Sequence, residues 1–411
     1  MAAVEVNGRR YRMPVRPTVI ICYDGCDPAY LRRGIADGVM PHIARLATDG
    51  FFSTDAEAVV PTFTNPNNVS IVTGVPPSLH GIAGNFVLDR ASGERRMITD
   101  ARMMRCGTIL AGMAAAGVRV AVVTAKDKLL RLLAHGLAGI AFSSEYADRA
   151  TVSENGIEDV EALVGRAKPD QYSADLSLFV LDAGLKLLEA NTAEVLYLSL
   201  SDYVQHRAAP GEPEADAFNH AVDRRIGAMI AAGALVGFVA DHGMNDKANP
   251  DGTPHVVYLE QHLNMVFGAG AASVICPITD PFVRHHGALG SFVRVYVHRG
   301  DVAAMMAAAR GPPGIELVMA GSEAAARFAL PADLEADFVA LGDAGTVIGA
   351  TPMDHDLRGL AGHRLRSHGG LGEQKVPFVL SRPLNAAYRE ASAIRKLRNF
   401  DIFDAALNGT V

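Results

Sequence analysis

The sequence predicts an α/β protein whose mostly parallel sheet is sandwiched by helices, with a small α+β insert late in the chain. Three observations predict it: short runs that are apolar throughout, helical stretches alternating with them, and a change of pattern after about residue 255. TVIICY at 18–23 is the first run, and a strand buried on both faces has this composition. It ends at DGCDP, and a helical stretch follows to Gly50, where glycine stops it. A helix at 109–116 leads into GVRVAVVT at 117–124, a helix at 174–190 into EVLYLSL at 194–200, and a helix at 214–231 into LVGFVA at 235–240. Helix-then-strand alternation places parallel strands in one sheet covered on both sides. FVRVYVH at 292–298, an Ala-rich helix at 302–309, GIELVM at 314–319 and DFVAL at 337–341 are shorter and more loosely punctuated. They predict an insert over 256–362 and a core formed by 1–255 and 363–411. SHGG at 367–370 and a strand, VPFVL at 376–380, return to that core.

Composition narrows the function. The 411 residues are 49% hydrophobic and 20% charged, enough to bury a large core. A formal charge of -7 supplies no basic field for nucleic acid, and a small anionic substrate would need a local cationic pocket. No apolar run approaches the roughly 20 residues of a membrane span. The first 17 residues lack the apolar segment of a signal peptide, and a cytoplasmic location is expected. Cys22, Cys26, Cys106 and Cys276 are expected as free thiols. His42, His80, His220 and His255 read as structural, and the triplet Asp354–Asp356 as a solvated loop.

In open parallel sheets ligands bind beyond the carboxyl ends of the strands. Asp24 stands at the first such end, Asp202 and His206 at the third, Asp241 and His242 at the fourth, and His368 just before the last strand. Asp202 and His206 are four apart, so on a helical turn they share a face. Carboxylate and imidazole sets suit Zn²⁺, with Mn²⁺, Fe²⁺ or Co²⁺ as substitutes. Six candidate ligands exceed one tetrahedral ion; two ions would use them all and could clamp a displacement at phosphorus. PTFTNPNNVSIVTG at 61–74 combines threonine, asparagines and proline where an apolar helix begins. A capped helix start accounts for those residue types locally. Beside two metals, Thr64 becomes a ligand and a nucleophile, since a metal lowers the pKa of its hydroxyl.

These residues resemble the alkaline phosphatase superfamily in its phosphodiesterase-like branch. The resemblance covers about 15–255 and 363–411. It rests on Asp24, on Thr64 in TFTNPNN, on Asp202 and His206 in D-x-x-x-H, on DHG at 241–243, and on HGG at 368–370. It implies one zinc held by Asp202, His206 and His368 and a second held by Asp24, Thr64, Asp241 and His242. With threonine at 64 and Asn68 where an arginine would follow, the sulfatase branch is not expected. A narrower resemblance, to branch members that cleave a carbon–phosphorus bond, rests on GNF at 84–86, TAKDK at 124–128 and RHH at 284–286. It implies hydrolysis of phosphonoacetate to acetate and phosphate; a homodimer is a separate expectation. Lys126 and Lys128, two apart and pointing to one face of an extended segment, would bind the carboxylate. There they would stabilise the enediolate charge that develops in the transition state. Asn85, His206, Arg284 and His285 are further substrate-binding candidates, the last two from an insert that caps the metals. The competing expectations are a nucleotide phosphodiesterase or pyrophosphatase with the same metal ligands, a phosphosugar mutase, and a metal-binding scaffold.

Overall fold

The computed structural model describes residues 2–90, 92–360 and 362–411. Its central sheet has seven strands in the spatial order Phe51–Glu57, Lys375–Leu380, Leu235–Val239, Thr18–Cys22, Val195–Ser199, Val120–Thr124 and Ile140–Ser143. From Leu235–Val239 to Ile140–Ser143 every pair is parallel. Lys375–Leu380 runs antiparallel to both of its neighbours. The α/β class with a mostly parallel, helix-covered sheet is therefore as expected.

The central strands are buried at every position because both faces carry helices, among them Asp175–Glu189 and Pro213–Ala231. Three local features differ from expectation. The stretch before Gly50 is two helices, Pro28–Ala36 and Pro41–Asp49, separated where Gly38 takes a positive φ and Pro41 starts the second. The sheet also gains two edge strands, Phe51–Glu57 and Ile140–Ser143. Both are only partly buried, and Phe51–Glu57 carries Ser53, Asp55 and Glu57, so neither shows a wholly apolar run.

Four antiparallel strands form a second sheet in the order Ala272–Ile275, Phe292–Val297, Phe338–Gly342 and Ile315–Ala320. Helices Leu259–Phe267, Val302–Ala309 and Gly321–Phe328 accompany it. Leu263, Phe292, Val295, Met305 and Phe338 make its own apolar cluster. Phe63 joins that cluster from outside, edge-on to Phe292 with ring centroids 6.4 Å apart. The residue preceding Thr64 is thus packed into the second layer. Arg294, in a buried ion pair with Glu335, donates to the Ala83 carbonyl and ties the two layers again. Among the described residues no helix is long and apolar enough to cross a membrane.

Candidate active site

Four adjacent parallel strands deliver their chemistry to one sheet edge. Asp24, Lys126, Asp202 and the pair Asp241–His242 each follow a strand within three residues of its end, and all are buried. His368 arrives by another route: Arg366–Ser367 pairs with Asn245–Asp246, which lays His368 flat against His242 with ring centroids 3.5 Å apart. Gly25 permits this crowding, since it has φ +68° and a Cβ there would lie 3.1 Å from the Asp202 Cβ.

Thr64 is the first residue of the fully buried helix Thr64–Thr73. The asparagines do not cap it: Phe63 is the N-cap, and no side chain bonds there. They anchor it instead. Asn67 accepts from the Val59 N–H and donates to the Val59 and Phe63 carbonyls. Asn68 donates to Asp241 Oδ2 at 3.1 Å and to the Thr64 carbonyl, and accepts from Tyr197 and Ser199 of a core strand. Of its first-turn groups the Asn65 N–H is taken by Asn85 Oδ1 and Pro66 has none, so this helix start offers an anion no more than the Thr64 N–H. Thr64 Oγ1 lies 3.5 Å from His242 Nε2.

The donor set fits divalent cations. Ligand atoms of Asp24, Asp241 and His242 lie within 4.8 Å of one another, as do those of Asp202, His242 and His368, and those of Asp202, His206 and His285. Both Asp24 oxygens are buried and accept no hydrogen bond among the described residues. With Lys126 Nζ 3.6 Å away but no hydrogen bond accepted, this buried carboxylate is still costly, and a divalent cation would offset that cost. The imidazoles are oriented for ligation. Nδ1 of His206, His242 and His368 lies 2.7–2.9 Å from the carbonyl oxygens of Arg366, Gly243 and Thr62 respectively. A carbonyl only accepts, so each Nδ1 carries a proton; that leaves Nε2 of His242 and His368 with a lone pair, whereas Nε2 of His206 lies 2.9 Å from Asp202 Oδ2.

The electrostatics are those of a crowded, dry acid cluster. Burial, then the charges of Asp202 and Asp241, push the Asp24 carboxyl well above its usual range. Burial and Asp202 push Asp241 up to about 7. Asp202 goes the other way: burial opposes ionisation, but Lys126 and His206 outweigh it. Lys126 Nζ donates to Asp202 Oδ1 at 2.6 Å and stands 3.6 Å from Asp24 Oδ2. Burial lowers His242, and lowers His368 further beside two other imidazoles, so both stay neutral, the form that binds a metal.

The expected substrate residues are placed unequally. Lys126 is the N-cap of helix Asp127–Leu133 and Lys128 lies inside its first turn, so the segment is not extended through both. A helix start turns them apart: Lys126 reaches the acid cluster, whereas Lys128 forms a buried ion pair with Asp280. Both ammonium groups still face the Phe282 ring, at 5.1 and 5.9 Å. Asn85 is committed elsewhere, accepting from the Asn65 N–H and donating to the Ile278 carbonyl. His285 is buried 4.4 Å from the His206 ring, and neither of its nitrogens has a hydrogen-bond partner among the described residues. Arg284 lines a pocket of about 170 Å³ with Tyr172, Tyr203, Arg207 and His363, and His206 and His285 form part of its wall. Sequence reasoning passed over Asn68 as an anchor and Asp280 altogether. Asn68 bonds to residues distant in sequence, and Asp280 lies in a loop with no periodic signal.

A model of the family described as type I phosphodiesterase / nucleotide pyrophosphatase matches residues 18–354. The chain is similar over its full length to phosphonoacetate hydrolase from Sinorhizobium meliloti 1021, seen in complexes with phosphonoformate and with phosphonoacetate. Identity is 44%, the TM-score is 0.93, and the match covers 100% of this chain and 99% of that one. Murine ectonucleotide pyrophosphatase / phosphodiesterase 5 shares the fold at 17% identity and TM-score 0.65, over 96% of both chains. Ectonucleotide pyrophosphatase/phosphodiesterase family member 1 from Rattus norvegicus and from Homo sapiens is 38% identical over 73 residues, which is 18% of this chain. The chain spans only 8% of the length of those two relatives. Joined to the strand-end acids and the buried helix start, these matches bear out the resemblance read from the motifs: the chain belongs to the type I phosphodiesterase / nucleotide pyrophosphatase family.

Proposed function

We propose that the protein hydrolyses the carbon–phosphorus bond of phosphonoacetate, giving acetate and phosphate, with Thr64 as nucleophile and two zinc ions as cofactors. The observation that carries this reading is the convergence of Thr64, six strand-end or return-segment acids and imidazoles (Asp24, Asp202, His206, Asp241, His242 and His368) and a buried lysine on one sheet edge. Asp202, His206 and His368 would hold one ion; Asp24, Thr64, Asp241 and His242 would hold the other. When bound, the two cations would lower the pKa of the Thr64 hydroxyl and offset charge on the phosphonate oxygens.

Thr64 Oγ attacks phosphorus, the carbon–phosphorus bond breaks, and the electron pair passes through the methylene into the carboxylate as an enediolate. Lys126 and Lys128 face that carboxylate, where charge grows as the bond breaks, so their attraction lowers the barrier and does more than bind the ground state. Protonation at carbon gives acetate. Water then hydrolyses the phosphothreonine, restoring the Thr64 hydroxyl and releasing phosphate. The Thr64 N–H at the helix start orients the phosphonate, and Phe282 and His285 exclude bulk water.

The reading includes residues 256–362 as a cap over a core of 1–255 and 363–411, and a cytoplasmic homodimer, which sedimentation and fractionation would test. The deciding experiment is substrate profiling of the zinc-loaded protein. Phosphate release from phosphonoacetate supports the proposal. Turnover confined to nitrophenyl phosphodiesters favours a nucleotide phosphodiesterase instead. The two tyrosines at the pocket have rings tilted 57° at 6.3 Å, with Arg284 over Tyr172, so this pair does not itself form a parallel aromatic slot.

A further inference from the structure

The acid cluster contains one buried carboxylate outside the proposed metal sets. Asp280 comes from the 256–362 segment, is 5% exposed, and forms a buried ion pair with Lys128 through Oδ2. Its Oδ1 accepts from the Phe282 N–H at 2.6 Å and lies 3.9 Å from His286 Nε2. One side chain therefore fixes Lys128 directly and fixes the main chain of the residue whose ring underlies both ammonium groups.

Charge balance shows what that placement does. The anionic partners of Lys126 are Asp202 and Asp24, and both belong to the proposed ligand sets. When cations draw those carboxylates, two buried ammonium groups are left on one aromatic face. Like charges in a dry site repel, and each is costly to keep ionised without a counter-charge. Asp280 is the carboxylate that remains.

We propose that Asp280 is a positioning residue for recognition of the substrate's carboxylate: from the insert, it seats Lys128 and, through Phe282, holds both ammonium groups at the carboxylate-binding end of the site. This rests on the function proposed above. An ammonium has three N–H donors, so Lys128 can keep Asp280 while offering another to the substrate. The role is selective, because a substrate without a carboxylate gains nothing from it.

The test compares Asp280→Asn, Asp280→Glu and Asp333→Asn with the wild type, all as zinc-loaded full-length protein. Asparagine keeps an acceptor for the Phe282 N–H and loses the charge. Asp333 pairs with Arg105 across the same junction at an exposed site, so its variant controls for loosening of the insert. Each is assayed on phosphonoacetate and on carboxylate-free p-nitrophenyl phenylphosphonate, and zinc content is measured. We expect kcat/KM for phosphonoacetate to fall roughly tenfold to hundredfold in Asp280→Asn, the loss expected for a charged hydrogen bond. The carboxylate-free ester should stay within about twofold, zinc content and Asp333→Asn should be unchanged, and Asp280→Glu should recover part of the loss. Equal loss on both substrates, or no loss on phosphonoacetate, overturns the proposal while leaving the function standing. A wild type that releases no phosphate from phosphonoacetate overturns the function and this proposal with it.

Discussion

Replacing Lys126 with methionine should tighten zinc binding while weakening the metal-free fold. The ammonium of Lys126 is 2.6 Å from Asp202 Oδ1 and 3.6 Å from Asp24 Oδ2, and all three side chains are buried. At an effective dielectric constant of about 20 each contact is worth roughly 5–6 kcal/mol before desolvation. Desolvating the ions takes back several kcal/mol, so removing the cation from this buried cluster should cost about 3–5 kcal/mol. For a chain this long that lowers the midpoint of metal-free thermal unfolding by about 4–6 °C. In the zinc-loaded protein Asp24 and Asp202 have other partners, and the loss should be smaller by about 2 kcal/mol. Linkage then requires zinc to bind roughly thirtyfold more tightly to Lys126→Met than to the wild type. Chelator competition measures the affinity, and unfolding scans with zinc and with EDTA measure the two stabilities. Turnover on phosphonoacetate should fall at the same time, which separates a tighter metal site from a better enzyme. Weaker zinc binding in the variant, or the same loss of stability in both forms, would refute the reasoning, because Lys126 would then not be compensating the ligand carboxylates.

Other expectations follow from single groups. Thr64→Ala should lose at least about 10³-fold in phosphate release, as removal of a nucleophile does, while inductively coupled plasma analysis finds its zinc content near the wild-type value. Zinc affinity should fall as pH drops from 8 to 6, because Asp24 and Asp241 sit high and must lose protons before they ligate; titration calorimetry in buffers of different ionisation enthalpy would count those protons. His80 gives a stability effect away from the site. Burial holds its imidazole down at about 3, where it accepts from the Ile82 N–H and pairs with Ser70 Oγ. The unfolded chain takes up a proton near pH 6.5 that the fold refuses, so this contribution is full above that pH and declines as pH falls toward 3. Between pH 7 and 4 the wild type should lose about 3 kcal/mol more than His80→Gln, read from urea midpoints.

The parallel core was legible because burial on both faces leaves no polar positions, so runs such as TVIICY announce themselves. Strand ends in such a sheet share one edge, and Asp24, Asp202 and Asp241 could be grouped from order alone. Edge strands escaped the same logic, since half-exposed Ser53 and exposed Asp55 break the apolar run that would have marked them. The asparagines of 61–74 were legible in type but not in role. A local rule assigns Asn to a helix cap, whereas Asn67 and Asn68 bond to the Val59 loop and to the side chains of Asp241, Tyr197 and Ser199, the last two 129 and 131 residues away. Lys126 and Lys128 were read on an extended spacing, and the helix starting at Asp127 redirected them.

What the sequence could not supply is the insert's contribution to the charge of the site. A motif lists groups that ligate or attack, and these recur in recognisable order; the groups that keep them charged need only be near. Asp280 and His285 reach the cluster because Phe63 is locked into the insert's apolar layer and Arg294 bonds across to Ala83. Apolar packing on one side of Thr64 therefore fixes the distance at which carboxylates and imidazoles on the other side meet. A substitution at Phe292 should for that reason change substrate affinity through Lys128 while zinc content stays unchanged, whereas one at Phe63 also disturbs His368, whose ring lies edge-on to it at 5.7 Å.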